Sequence, residues 1–288
     1  MTLRYALITP SFRLDLDRCA LLTESVERWV APHVKHYLVV DRRDVALFKP
    51  LVNSRTELVV VEDIVPPWVV RIPGIRRFWF SFRTRPLKNW ILQQLVKLSM
   101  PRAITEDVLL YTDSDVFFCQ SYDPSEYEKD GKVPLLCETG LRGLIPENAE
   151  WIEVASRLLG IPFDPSDTDF NFIGNAVCWR REHALALQER VSEVAGKRWE
   201  LALAPLNRFS EYILYGIHTS RILRENSGHW NDPLIRTLTH WQPVALDIAG
   251  LEKLKAQHQA HQYSVMISAK SRTTVADIRR VFADNFHS

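Results

Sequence analysis

The stretch of sequence that decides the fold lies at residues 109–118 and reads Leu109-Leu-Tyr-Thr-Asp-Ser-Asp-Val-Phe-Phe118. Two carboxylates, Asp113 and Asp115, stand between two apolar runs. Burying charge between such runs is costly unless something compensates it. We therefore predict a buried strand at 108–112 that ends in an acidic turn, at the sheet edge where open α/β proteins bind ligands.

The spacing of the two acids suits a divalent metal. With one residue between them, both carboxylates can turn towards one point if the chain bends at Ser114. Two hard oxygen ligands suit Mg²⁺ or Mn²⁺, which also take phosphate oxygens and water. Such an ion neutralises a diphosphate and stabilises it as a leaving group. The alternative interpretation is a simple turn or helix cap at a strand end.

Two other Asp-x-Asp triplets in the chain serve as comparisons. Asp15-Leu-Asp17 lies at the start of a predicted helix, where acids are favoured by the helix dipole. Asp167-Thr-Asp169 lies in a Pro/Ser-rich loop, where Asp residues favour turns. Only Asp113-Ser-Asp115 lies between two apolar runs, which favours a functional interpretation of that triplet.

Hydrophobic periodicity around this stretch predicts an α/β protein, because short apolar runs alternate with helical patterns from the N-terminus onwards. Strands are predicted at 3–9, 36–40, 57–61, 108–112, 132–137, 170–179 and 263–267. Helices are predicted at 15–30, 45–52, 88–100, 149–159, 181–195, 207–218, 246–261 and 275–286. Residues 63–86, rich in proline and arginine, are predicted to form a long loop or lid.

Composition excludes several classes of protein. The 288 residues are 46% hydrophobic, enough to bury a core, and 36 basic against 35 acidic residues argue against a dedicated nucleic-acid binder. The four cysteines match no zinc or haem spacing and are expected to be reduced thiols. The N-terminus does not resemble a signal peptide, and no apolar run approaches the ~20 residues that span a bilayer. We expect a cytoplasmic protein that can make peripheral contact with the inner face of the membrane.

Several segments carry a resemblance to a known class. The Asp-x-Asp after a buried strand resembles the motif of GT-A glycosyltransferases, and Trp90-Ile-Leu-Gln-Gln-Leu-Val-Lys-Leu98 resembles the helix that precedes that strand in several GT-A families. Four further segments resemble an uncharacterised bacterial group of glycosyltransferase-like proteins. They are Ile8-Thr-Pro-Ser-Phe12, Val39-Val-Asp-Arg-Arg-Asp44, Phe209-Ser-Glu-Tyr-Ile-Leu-Tyr-Gly216 and Val265-Met-Ile-Ser-Ala-Lys270.

The resemblance implies a GT-A-like fold, a mixed and mostly parallel sheet flanked by helices, in a single domain over 1–288. Its nucleotide-sugar-binding half would be 1–120, its acceptor half 121–245 and its C-terminal extension 246–288. The implied reaction is metal-dependent transfer, with Mn²⁺ or Mg²⁺, from a nucleoside diphosphate sugar to a glycan or lipid-linked acceptor. A UDP-sugar is the default donor.

The resemblance also implies roles for single residues. The last Asp of the motif, Asp115, would ligate the metal, and Asp113 would reach the ribose or the metal. Lys97 would contact the phosphates or brace the acidic turn, unless it is a solvent-facing helix lysine. Lys270 belongs to a late segment that would close over the diphosphate. The full nucleotide-binding set is Thr9, Pro10, Ser11, Asp41, Lys97, Asp113 and Lys270.

The acceptor side offers weaker candidates. An inverting enzyme needs a carboxylate base, for which Glu211 is the first candidate and Asp169 the reserve. Glu211 is alternatively an exposed helix residue or a capping partner of Ser210. A late histidine often completes the metal site in GT-A enzymes, and His240 is slightly preferred over His229. Phe170-Asn-Phe-Ile-Gly-Asn175 is predicted to form either an acceptor wall or a bulged core strand.

Residues 71–85 combine basic and aromatic side chains. This segment would serve as a lid over an anionic donor, as a platform for a sugar or lipid-linked acceptor, or as a surface that meets anionic lipid. A packed loop with its arginines in salt bridges is the structural alternative. The residues concerned are Arg71, Arg76, Arg77, Phe78, Trp79, Phe80, Phe82, Arg83 and Arg85.

Three other functions compete with this interpretation. A sugar-phosphate nucleotidyltransferase normally has a Gly-rich loop after its first strand, whereas Pro10-Ser-Phe-Arg-Leu14 contains no glycine. A haloacid-dehalogenase-type phosphatase places its Asp-x-Asp after the first strand and follows it with Gly-Thr, and neither feature is present here. The third alternative is a non-catalytic carbohydrate-binding protein.

Overall fold

The computed structural model describes residues 2–72, 74–75 and 78–282. Its strands are β1 (Tyr5–Pro10), β2 (Lys35–Val40), β3 (Thr56–Val60), β4 (Val69–Val70), β5 (Phe78–Ser81), β6 (Leu87–Lys88), β7 (Val108–Tyr111), β8 (Val116–Phe118), β9 (Val133–Leu136), β10 (Val177–Arg180), β11 (His229–Asp232), β12 (Thr237–His240) and β13 (Ser264–Ile267). Its helices are α1 (Leu16–Trp29), α2 (Val45–Phe48), α3 (Val61–Ile64), α4 (Asn89–Ala103), α5 (Asn148–Leu159), α6 (Arg181–Ala195), α7 (Trp199–Leu203), α8 (Glu211–Ile217), α9 (Ile248–Lys255) and α10 (Val275–Val281).

The central sheet has the strand order β3-β2-β1-β7-β10. Its first four strands are parallel and β10 runs antiparallel beside β7. Every residue of β1 and β7 is buried, as expected for parallel strands that are covered on both faces. The sequence prediction of a mixed, mostly parallel sheet flanked by helices is confirmed, and β1 and β7 end side by side at the same edge.

A second sheet begins where the acidic turn ends. Its strand order is β12-β13-β8, and β8 pairs antiparallel with β13. The amide of Ile267 donates to the carbonyl of Asp115 at 3.2 Å. The chain therefore passes from one sheet to the other through residues 112–115, and the late segment 264–267 lies beside the acidic pair.

The largest part of the core packs α4, α5, α6 and α8 against the central sheet. At its centre, the rings of Trp179 and Tyr215 stack at 4.5 Å, and Tyr111 lies 4.7 Å from Trp179. All three rings are fully buried. The sheet edge that carries the acidic turn therefore rests on a closely packed aromatic layer.

Two local predictions were wrong. Residues 63–86 contain more than a loop, because β4, β5 and β6 form a small antiparallel sheet whose inner face buries Trp79 and Leu87. The strand predicted at 170–179 is reduced to β10, because Ala176 adopts a φ of 52° and Gly174 packs against Leu136. The described residues do not include Arg76, Arg77 or the end of the last predicted helix (283–286).

All four cysteines are free thiols. Within residues 2–72, 74–75 and 78–282, no helix has both the length and the apolar character required to cross a bilayer.

We predict that Gly216→Ala destabilises the protein, although alanine normally stabilises a helix interior by about 0.5–1 kcal/mol relative to glycine. A Cβ at Gly216 in α8 would lie 2.2 Å from the ring of Phe172. Overpacking of this kind costs about 1–3 kcal/mol, measurable by urea denaturation. The double variant with Phe172→Leu should recover part of this loss relative to Phe172→Leu alone, and additivity of the two changes would contradict the packing argument.

Candidate active site

The acidic turn is held by two hydrogen bonds, each between a backbone amide and a side-chain oxygen. The amide of Asp113 donates to Asn175 Oδ1 at 3.0 Å, and Asp115 Oδ2 accepts from the amide of Ala269 at 2.8 Å. The Asp113 side chain is 31% exposed, and Asp115 is half-buried. Burial, followed by the negative charge of Asp113, raises the pKa of Asp115 to about 6. The two carboxylates are therefore close enough to repel each other, and both residues are partly exposed.

A buried ion pair lies behind the turn. Lys97 Nζ is 3.5 Å from Asp113 Oδ1 and 3.0 Å from Glu211 Oε1, and it donates to the hydroxyl of Tyr212 at 3.0 Å. Burial acts to lower the pKa of Lys97, but Tyr212, Glu211 and Asp113 together raise it well above its usual value. Lys97 is thus a permanent positive charge that braces Asp113 from inside the protein.

The helices that carry this pair are themselves tied to the sheet. Tyr111 at the end of β7 donates its hydroxyl to the carbonyl of Lys97 at 2.7 Å. The amide of Glu211, at the first position of α8, donates to Gln94 Oε1 at 3.1 Å. Ser210 caps α8, since its hydroxyl accepts from the amide of Ile213, whereas the Glu211 carboxylate pairs with Lys97. The positions of Lys97 and Glu211 therefore follow from the packing of α4, α8 and β7.

Sequence reasoning missed two residues beside the acidic turn. The hydroxyl of Ser114 donates to Asp15 Oδ2 at 3.3 Å, and burial raises the pKa of Asp15. The buried guanidinium of Arg18 donates to the carbonyls of Ile267 and Thr273 and attracts Asp115 and Asp15. A usable signal was present, because the segments that follow two neighbouring parallel strands leave the sheet at the same edge.

The predicted nucleotide-side residues lie at the end of β1 or directly after β1 and β2. Thr9 and Pro10 are buried, and Thr9 Oγ1 bonds His36 Nε2 at 3.1 Å. The backbone of Ser11 bonds the carbonyl of Val39, which keeps the end of β1 against β2. Asp41, which follows β2, lies 3.2 Å from Arg43 and 3.7 Å from Arg71. This group therefore lines the same sheet edge as the acidic turn, but Thr9 points into the core.

The candidates from the last third of the chain, Lys270, His240 and His229, lie at three different positions. Lys270 is exposed in the turn that begins with Ala269, the residue bonded to Asp115. His240 ends β12, two strands from β8, so its backbone lies roughly 10 Å from the acidic turn. Its Nε2 is 2.9 Å from the carbonyl oxygen of Val244. His229 is buried elsewhere, with one ring nitrogen near Tyr215 and the other near Val133.

The acceptor-side candidates do not form one cluster at the acidic turn. Asp169 is half-exposed in a loop, where Oδ1 accepts from the amide of Arg142 at 3.4 Å. Asn171 forms an isolated bridge with Glu138. Only Asn175 of this segment contacts the acidic turn, and its buried Nδ2 has no hydrogen-bond partner among the described residues.

The acidic turn offers two carboxylates to a divalent ion. In the described part of the chain, no three His, Cys, Asp or Glu side chains are arranged to hold a metal ion. Mg²⁺ commonly takes only one or two carboxylates and completes its shell with water and phosphate oxygens. Asp113 and Asp115 fit that requirement because their carboxylates are close enough to repel each other and both residues are partly exposed.

We predict that Asp115→Asn stabilises the protein above about pH 6 by about 1–3 kcal/mol. The folded state raises the pKa of Asp115 from 3.8 to about 6, so the ionised carboxylate costs stability above that pH and nothing below about pH 4. Asparagine can still accept the hydrogen bond from Ala269. Thermal unfolding at pH 8 and pH 4 tests this, and an equal gain at both values would contradict it.

We predict that Lys97→Met destabilises the fold by about 3–5 kcal/mol, because Glu211 is then left as an uncompensated buried charge. The double variant Lys97→Met/Glu211→Gln should recover much of the loss. Lys253→Met, at an exposed position on α9, serves as the control and should change the free energy of unfolding little. Additive losses in the double variant would show that the pair is not coupled.

Comparison with known proteins gives the fold and the family. Mouse xyloside xylosyltransferase 1, in its apo form, matches with 9% identity and a TM-score of 0.47 over 91% of this chain and 97% of that one. The bifunctional glycosyltransferase WbbM, also apo, matches with 12% identity and a TM-score of 0.51 over 100% of this chain and 50% of that one.

The similarity to WbbM shows a GT-A-like fold, and this chain corresponds to half of WbbM. No curated protein matches the sequence. A family model matches residues 7–287, almost the whole chain, and the protein therefore belongs to that family, which is described as a family of unknown function, DUF6492.

Proposed function

We propose that the protein is a metal-dependent glycosyltransferase that binds a nucleoside diphosphate sugar at the acidic turn. The observation that carries the proposal is the pair Asp113 and Asp115, held at the carboxyl edge of a GT-A-like sheet with both residues partly exposed. The ionised pair repels itself, which a divalent cation would relieve. The same cation would neutralise the diphosphate and make it a better leaving group.

The surrounding residues divide into a diphosphate side and a nucleoside side. Lys270 is exposed one residue after Ala269, the amide donor to Asp115, so it is the cation we assign to the phosphates. Lys97 is fully occupied by its three partners and is assigned to positioning Asp113. Asp41, which follows the neighbouring strand, is assigned to the ribose or base, and Arg71 would have to share it.

The transfer step breaks the bond between the anomeric carbon and the diphosphate oxygen and forms a bond to the acceptor hydroxyl oxygen, which loses its proton. Glu211 is only 5% exposed and is paired with Lys97, so in this arrangement it holds Lys97 rather than accepting that proton. Asp169 stays the reserve candidate for the base, since it is half-exposed. A glycan or lipid-linked molecule is the acceptor class we propose.

We predict that UDP with Mn²⁺ stabilises the protein in a thermal-shift assay, with other nucleoside diphosphates screened in parallel. Ligand at 100 times Kd adds about 2.7 kcal/mol, which raises Tm by roughly 4–5 °C for a chain of this size. Asp115→Asn and Asp113→Asn should lose the Mn²⁺-dependent shift. Asp17→Asn, an exposed change in the comparison triplet at α1, should keep it.

Two outcomes of the same screen would contradict the proposed function. Stabilisation by free sugars without any nucleotide effect would favour a non-catalytic carbohydrate-binding protein. A shift with nucleotide that is unchanged in Asp115→Asn would remove the acidic turn from the donor site.

A further inference from the structure

The small sheet β4-β5-β6 presents aromatic side chains to solvent. Along β5 the side chains alternate, so that Trp79 and Ser81 are buried while Phe78 and Phe80 are 43% and 37% exposed. Phe82 follows with 71% exposure and packs edge to face on Phe80 at 5.0 Å. An outward strand face normally carries polar residues. We call this surface, with the exposed Trp90 at the start of α4, the aromatic face.

The aromatic face is bordered by positive charge. Lys88 lies directly opposite Phe78 in the β5–β6 pair, and Arg83 and Arg85 are exposed in the connecting turn. The sequence contains no acidic residue from 64 to 105. A chain with 35 acidic residues in 288 would place about five in a stretch of that length, so the region has a strong charge bias.

The inner side of this sheet is fixed to the rest of the protein. Trp79 is buried, and the guanidinium of Arg71 lies 5.2 Å from its ring and 3.7 Å from Asp41. The strand β6 runs directly into α4, whose Lys97 belongs to the buried pair behind the acidic turn. The aromatic face is therefore carried on a fixed support next to the proposed donor site.

The chemistry and the size of this surface identify its partner. Aromatic rings with arginine and lysine suit the headgroup region of an anionic bilayer, where rings enter the interface and cations meet lipid phosphates. One strand of four residues between two strands of two residues covers at most roughly 200 Å². A stable protein interface needs about 800 Å² on each partner, and two copies would set positive charge against positive charge.

We propose that the aromatic face binds the surface of an anionic lipid bilayer. Phe78, Phe80 and Phe82 enter the interface, and Arg83, Arg85 and Lys88 contact the lipid headgroups. Trp90 and Lys97 are seven residues apart on α4, about 10 Å along the helix axis. The bilayer surface is therefore within reach of the acidic turn, and, on the proposed transferase function, an acceptor held by a lipid would be presented to it.

Co-sedimentation with vesicles tests the proposal on the full chain. The protein should bind vesicles of phosphatidylcholine mixed with phosphatidylglycerol, and binding should weaken as salt rises. Arg83→Glu/Arg85→Glu and Phe80→Ser/Phe82→Ser should each weaken binding by about tenfold or more. Matched controls are Lys197→Glu/Lys253→Glu and Leu144→Ser/Trp241→Ser, at exposed positions elsewhere, which should bind within about twofold of the parent chain.

Several outcomes would overturn the proposal. These are absence of binding to the mixed vesicles, equal binding to pure phosphatidylcholine, or an equal loss in the control variants. A dimer seen by light scattering that dissociates in Phe80→Ser/Phe82→Ser would assign the face to a second copy of the chain. Circular dichroism establishes that each variant is folded, and the charge variant supplies the test if the aromatic one is not.

The result can be separated from the donor assignment. Asp115→Asn should lose the nucleotide-dependent thermal shift and still bind vesicles, whereas the aromatic-face variants should keep the thermal shift. Loss of both properties in every variant would show a general defect in folding and would count against the assignment of this face.

Discussion

Charge compensation at the end of β7 is the constraint on which the site depends. Among the described residues at the turn, two buried cations face four carboxylates, which leaves an excess of negative charge that reaches solvent. The cations are Lys97 and Arg18, and the carboxylates are Asp15, Asp113, Asp115 and Glu211. On the proposed function, a divalent cation would balance that excess before a diphosphate binds. The two buried cations therefore compensate only part of the carboxylate charge, and the remaining negative charge is available for a ligand.

The two-sheet arrangement explains why the turn can hold this charge. The chain leaves the central sheet after β7 and enters the second sheet at β8, so residues 112–115 lie at a junction rather than inside a strand. Hydrogen-bonding groups from distant segments then satisfy the turn, namely the side-chain oxygen of Asn175 and the backbone amide of Ala269. Asn175 contacts Asp113, and the Ala269 amide donates to Asp115. One side chain and one backbone amide from the second half of the chain thereby shape a site that the first half begins.

The sequence predicted the parts of this site that depend on local pattern. The strand before Asp113 and the bend at Ser114 followed from apolar runs and spacing. Lys97 and Glu211 were both selected, but for separate roles, because a pair more than 100 residues apart in sequence leaves no local signal. The pattern at 63–86 predicts a loop although β4 and β5 lie there, because prolines and arginines surround a strand of only four residues. The alternation in Phe78-Trp-Phe-Ser81 was the available signal.

The fixed support of the small sheet argues against the lid interpretation of residues 71–85. A lid must separate from the rest of the protein at low cost. Opening here would expose Trp79 to solvent and separate Arg71 from Asp41. Exposing one buried indole alone costs about 2–3 kcal/mol. A surface that must open at each turnover would bury little, while one that must hold the protein at a bilayer benefits from being rigid. The buried inner side and the aromatic outer side are thus two consequences of the same arrangement, in which β6 leads directly into the helix that carries Lys97.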